Sequence, residues 1–240
     1  MTILAISLLT LVASIIGTVS GFGISTIMVP IVLLFLPLPE TLLLVGVIHW
    51  FGDLWKILLF KHGIDKKILI YFGIPGMIGA GVGAALVVNI PEIIASQIVG
   101  VILITYVLYL LIKPNFRIEP NPKVAGVGGG LSGLLGGLTG VGGGALRAVV
   151  LTAFNIPKST YIFTSGVLGA LIDASRISIY LISGTKIPQL LFFGLFLFIP
   201  ASFLGAEIAK KLVGKIPQKT FRNLIALFLF LLGVKLLFFP

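Results

Sequence analysis

The chain has 240 residues, of which 58% are hydrophobic and only 10% charged, and its mean hydropathy is +1.21. A soluble domain of this size needs polar surface over its core, so the composition excludes a water-soluble globule and calls for lipid on the outside. With no cysteine, and two histidines read as far from any carboxylate cluster, no disulfide, thiol redox or metal site is expected and no cofactor is implied.

The apolar runs are continuous and near 20 residues rather than alternating, which predicts an all-α polytopic membrane protein and not a barrel. In chain order the runs are Thr2 to Ser20, Ile24 to Leu36, Thr41 to Phe60, Ile68 to Val88 and Glu92 to Ile112. The first has no basic leader and reads as mature sequence. A hydrophilic stretch over residues 113–123 follows, read as a basic cytoplasmic linker. The order then recurs as Val124 to Leu138, Ala145 to Phe154, Thr160 to Ile182, Pro188 to Val213 and Thr220 to Phe239. Shared local signatures support a duplication of residues 1–112 in 124–240. Ser20-Gly21-Phe22-Gly23 matches Thr139-Gly140-Val141-Gly142-Gly143-Gly144, Asp53 with Lys56 matches Asp173 with Arg176, Ile74-Pro75 matches Ile199-Pro200, and Ile90-Pro91 matches Ile216-Pro217.

The net charge of +10 falls in short loops and reads as topology, not as nucleic-acid binding. If the chain crossed the membrane straight through both glycine clusters, the loop cations would divide almost evenly. If it turns back at the glycines, nearly all share one face, leaving Lys186 and Lys235 opposite. Thr2 to Leu36 as one helix would also be about 52 Å long, against a hydrocarbon core of about 30 Å. We therefore expect glycine-tipped broken or re-entrant hairpins and two repeats of inverted topology, in an inner-membrane protein with its N-terminus outside.

Two glycine tips entering from opposite faces would line one cavity near the midplane, where the N-termini of the second arms offer free N–H groups to an anion. The substrate candidates are Ser20, Gly21, Gly23, Ser25, Thr26, Thr139, Gly140, Gly142, Gly143, Gly144 and Arg147. Arg147 leads, placed in the first turn of its short helix with a planar donor fork suited to oxyanions. Against this stands plain helix packing, for which Gly126-x-x-x-Gly130 and Gly129-x-x-x-Gly133 have the spacing. Asp53 with Lys56, and Asp173 with Arg176, are i,i+3 pairs that either hold helices together or take part in coupling or gating. His49, one turn before Asp53, is a core residue or part of a proton path. Ser132 in Gly130-Leu131-Ser132-Gly133 reads as a packing residue, with an intramembrane serine protease as a remote alternative.

Gly21-Phe22-Gly23 to Pro30, the run Gly136 to Gly144 and the Asn155-Ile156-Pro157 after it resemble the sulfite exporter TauE/SafE family, also called the 4-toluene sulfonate uptake permease family. The resemblance covers nearly the whole chain, and the first motif is the more degenerate, with Ile24 and Ser25 where glycine often continues. It implies a polytopic carrier of sulfur-containing anions such as sulfite or organosulfonates, often acting in export. The expectation is a secondary transporter, not an enzyme, with an anion channel on the same frame as the alternative. Its expected partners are a small anion and the lipid bilayer, with a coupling proton or ion and a homo-oligomer left open and no nucleic acid.

Overall fold

The computed structural model describes residues 3–61, 66–86, 92–112 and 117–239, and among these it contains ten helices and no strand. They are α1 (Ile3–Ser20), α2 (Ser25–Val32), α3 (Leu38–Phe60), α4 (Lys66–Leu86), α5 (Glu92–Ile112), α6 (Pro122–Thr139), α7 (Gly142–Ala153), α8 (Lys158–Ile182), α9 (Gln189–Lys215) and α10 (Gln218–Phe238). Proline sets several starts: Pro37, Pro157, Pro188 and Pro217 directly precede α3, α8, α9 and α10, fixing φ where no intrahelical N–H is needed. Asn121 caps α6 by accepting from the Val124 N–H at 2.9 Å, ahead of Pro122.

Among the described residues, five helices, α1, α3, α4, α8 and α9, are long and apolar enough to cross a membrane. Their outward faces carry large exposed apolar side chains; on α4 these recur every fourth residue at Ile70, Ile74, Ile78 and Val82. Such a stripe is stable only against hydrocarbon, so the chain is a multi-pass helical membrane protein.

The chain doubles back at both glycine turns. The Thr10 hydroxyl of α1 lies 3.5 Å from Met28 Sδ of α2, and a methyl on Gly17 would meet the Gly23 carbonyl carbon at 2.5 Å. In the second pair, Gly128 of α6 faces Val150 of α7, and Gly143 backs onto Ser132 and Gly136. Arm lengths differ from expectation. The helical part of the first short arm is only Ser25–Val32, and α7 begins three residues before Ala145 because the glycines there take helical geometry. Helix α6 likewise starts at Pro122, taking two residues from the expected linker. Residues 113–116 of that linker, Val88 and the Ile90-Pro91 signature lie outside the described residues.

The helices interlock across the linker. Helix α1 packs on α9 and α6 on α4, α3 packs on α8 and α9, α4 also on α8, and α5 on α10. Counting each set of five from its own start, the first helix of each set lies on the fourth of the other, third lies on third, and fifth on fifth. The closest of these contacts, α4 with α6, is made by glycine on both sides. A methyl on Gly129, Gly133 or Gly137 would overlap the Phe72, Gly76 or Ala80 carbonyl, and one on Gly79 or Gly83 would overlap the Gly130 or Leu134 carbonyl. Of the two expected small-residue pairs, only Gly129 and Gly133 sit in this seam. Gly126 and Gly130 lie at its edge, where a methyl would meet α4 only at ordinary contact distance, 3.7 Å from the Tyr71 carbonyl oxygen and 3.9 Å from Pro75 Cβ.

Candidate functional site

The two glycine turns have the same local chemistry. Ser20 donates to the Ile16 carbonyl at 2.8 Å and accepts the Phe22 N–H at 3.4 Å, while Thr139 donates to the Leu135 carbonyl at 2.9 Å and accepts the Val141 N–H at 3.2 Å. The next residues, Gly21 and Gly140, are left-handed at φ 80° and 69°, which lets each chain leave its helix and reverse. The Ser20 and Thr139 hydroxyls are thereby engaged in shaping the turns. Helix α2 has no side-chain cap at its N-terminus, whereas the first N–H of α7, from Gly142, is taken by the Thr139 hydroxyl at 3.1 Å.

Helix α8 clamps the first turn. Tyr161 donates to the Ser20 carbonyl at 2.8 Å and Ser165 to the Gly21 carbonyl at 2.7 Å. Ser165 in turn accepts from Arg147 Nε at 3.1 Å, so Arg147 is tied to the first turn through one hydroxyl. Arg147 sits in the second turn of α7, not the first, because α7 starts at Gly142. It is only 2% exposed, and its Nη2 has no hydrogen-bond partner. Gly144 backs directly onto the Phe22 carbonyl, so the two glycine turns touch.

Beneath the turns is a buried ionic network. Lys56 Nζ contacts Asp53 Oδ1 at 2.7 Å on α3, and Arg176 Nε contacts Asp173 Oδ1 at 2.7 Å on α8. His49 joins them: its Nδ1 is 3.0 Å from Asp173 Oδ2 and its Nε2 3.6 Å from Asp53 Oδ2. The expectation that the histidines stand away from carboxylates is therefore wrong for His49. The i,i+4 spacing puts Asp53 beneath it, and the packing of α8 on α3 supplies Asp173, a long-range contact that spacing cannot show. Gly166 and Gly169 permit that packing, since a methyl on Gly166 would meet Lys56 Cβ at 2.9 Å and one on Gly169 would overlap the Asp53 carboxylate and stand 3.0 Å from Arg147 Nη1. Arg147 thus shares the Gly169 seat with Asp53. Arg176 reaches toward the second turn, with Nη1 3.7 Å from a methyl built on Gly140 and no hydrogen-bond partner of its own.

Among the described residues, the buried charges are three cations, Lys56, Arg147 and Arg176, against two carboxylates, Asp53 and Asp173. At their formal charges these leave one cation over in a region cut off from water. One ligand atom from each of His49, Asp53 and Asp173 lies within 4.8 Å of the others, a spacing a metal ion can use. Lys56 and Arg176 already hold one oxygen of each carboxylate, however, and a metal cation would enlarge the surplus.

A cavity of about 300 Å³ opens at the first turn, lined by Ser20, Gly23, Thr26, Phe22 and apolar side chains of α1, α2 and α10. Of the anticipated substrate residues, Ser20, Gly23 and Thr26 face it, and the Thr26 hydroxyl has no partner. Gly21 and Ser25 are buried beside it. Thr139, Gly140, Gly142, Gly143, Gly144 and Arg147 do not line it: Gly142 donates its N–H to Thr139, Gly143 packs on the Ser132 carbonyl and Gly144 on Phe22. Gly23 separates the cavity from the network, since a methyl there would overlap His49 Nε2. The Ser132 hydroxyl donates to the Gly143 carbonyl at 2.6 Å, a structural bond that ties α6 to α7.

A protein-family model described as Sulfite exporter TauE/SafE matches residues 6–236. A search of curated proteins finds no match.

Proposed function

The chain belongs to the sulfite exporter TauE/SafE family, and on that premise we propose that it is a secondary carrier of small sulfur-containing anions, sulfite or an organosulfonate, working in the export direction. The observation that carries this reading is the unbalanced positive charge buried beside the glycine turns, with Arg147 Nη2 and Arg176 Nη1 both unpartnered. An uncompensated charge in such a place costs several kcal/mol, and an anion seated between the turns offsets it. The N-terminal ends of α2 and α7 add dipoles of the same sign.

In this mechanism residues 1–112 and 124–240 are inverted repeats, with the N-terminus outside the cytoplasmic membrane. The cavity at the first turn is one access route. Rocking of the interlocked halves opens the Phe22–Gly144 contact, exposes Arg147 to the anion, and closes the first route as an equivalent one opens at the second turn. A carrier is favoured over an open channel because neither His49 nor Arg147 lines the cavity.

The test is counterflow of labelled sulfite in liposomes containing the purified protein, with sulfate, an organosulfonate and chloride as competing solutes. We expect uptake driven by internal sulfite or sulfonate and a drop of at least about tenfold in Arg147→Ala, consistent with loss of a charge-assisted contact. A current proportional to the gradient with no counterflow would replace the carrier by a channel.

A further inference from the structure

We propose that His49 is a proton-binding site through which proton and anion movement are linked. Its functional meaning rests on the carrier reading above; its chemistry does not. Each aspartate spends one oxygen on a cation, Asp53 on Lys56 and Asp173 on Arg176, and turns the other toward the same imidazole. Those two oxygens and both ring nitrogens have no well-oriented hydrogen bond in this arrangement.

A neutral imidazole has one N–H and one lone pair, so it serves one carboxylate and repels the other. The imidazolium has two N–H groups and serves both. One proton added to the bare ring nitrogen therefore closes the bridge between α3 and α8, and no other bond is made or broken.

The groups around His49 make the proton and the anion interdependent. Asp53 and Lys56 face it from α3, Asp173 and Arg176 from α8, Arg147 stands beside Asp53 from α7, and the turn between α1 and α2 contributes the Gly23 backbone. Protonation raises the surplus positive charge of this network from one to two, which strengthens its hold on an anion. By linkage, a bound anion strengthens the hold on the proton by the same factor. Gly23, left-handed at φ 90° and lining the cavity, is packed on Nε2, so the wall of the anion's route rests on the proton site.

Two measurements test this. The first uses full-length protein carrying His62→Gln, so that His49 is the one remaining histidine, labelled with nitrogen-15 and placed in lipid nanodiscs. The imidazole should take up a second proton within the pH range where the protein stays folded, and added sulfite should make that proton harder to remove. An imidazole that stays neutral throughout that range, or one whose titration sulfite does not move, overturns the proposal.

The second measures anion-dependent proton entry into wild-type proteoliposomes during uptake of sulfite and, in parallel, methanesulfonate, whose charge does not change with pH. Protons should accompany either anion that is carried, and whatever flux His49→Gln retains should ignore a pH gradient. Counterflow with no proton movement overturns the linkage, as does a His49→Gln flux that still follows the gradient. Absence of all counterflow would sink the carrier reading instead, while the imidazole titration still decides whether His49 binds a proton.

Discussion

Gly23 shows how one missing side chain organises the site. It is left-handed, lines the cavity and lies against His49 Nε2, so alanine would bring both backbone strain and an overlap with the imidazole. Strain of this kind alone costs about 1–3 kcal/mol. We expect Gly23→Ala to lower the melting temperature clearly and to cut sulfite exchange more than it cuts stability, because the displaced ring breaks the link between Asp53 and Asp173. Thermal unfolding in detergent beside counterflow checks this; unchanged values in both would show that the turn has room this packing denies. At this scale the i,i+3 partners of Asp53 and Asp173 were legible in the sequence, since helical spacing alone makes them neighbours. The role of His49 was only half legible, because one of its two carboxylates arrives from a helix 120 residues further on.

Among the elements, the packing of α6 against α4 depends on glycine from both helices. A methyl on Gly133 would overlap the Gly76 carbonyl, whereas one on Gly214 near the end of α9 would meet nothing within 4 Å. Gly133→Ala should therefore destabilise by about 1–3 kcal/mol, the usual cost of overpacking, and Gly214→Ala should be close to neutral. Melting temperatures of the two variants in one detergent give the comparison directly. The seam was foreseeable in kind from the glycine spacing. Which glycines the partner grips most tightly was not, since Gly126-x-x-x-Gly130 has the same spacing and leaves room for a methyl; the rotation of α6 is set by what it packs on. The element boundaries also moved, because glycines 142–144 read as a break in sequence but continue as helix once Thr139 anchors the turn.

For the molecule as a whole, the loop cations make a topological prediction that the absence of cysteine makes easy to test. Lys186, between α8 and α9, and Lys211, near the end of α9, are both exposed. With the N-terminus outside, Lys186→Cys should react with an impermeant maleimide on intact cells and Lys211→Cys only after permeabilisation, each variant having one thiol in a chain that otherwise has none. The opposite labelling would reverse the membrane orientation while leaving the helix packing intact.

The sequence by itself determined the solvent, the helical class, the positions of both glycine turns and the family, because these follow from composition, run length and local motifs that need no distant partner. Only the tertiary structure decided that the two turns touch, that α8 clamps the first through Tyr161 and Ser165, and that His49, Asp53, Asp173 and three cations form one network with a charge left over. Those facts depend on which helices lie together and how each is rotated. Packing between residues more than 100 positions apart sets both, and no local pattern encodes them.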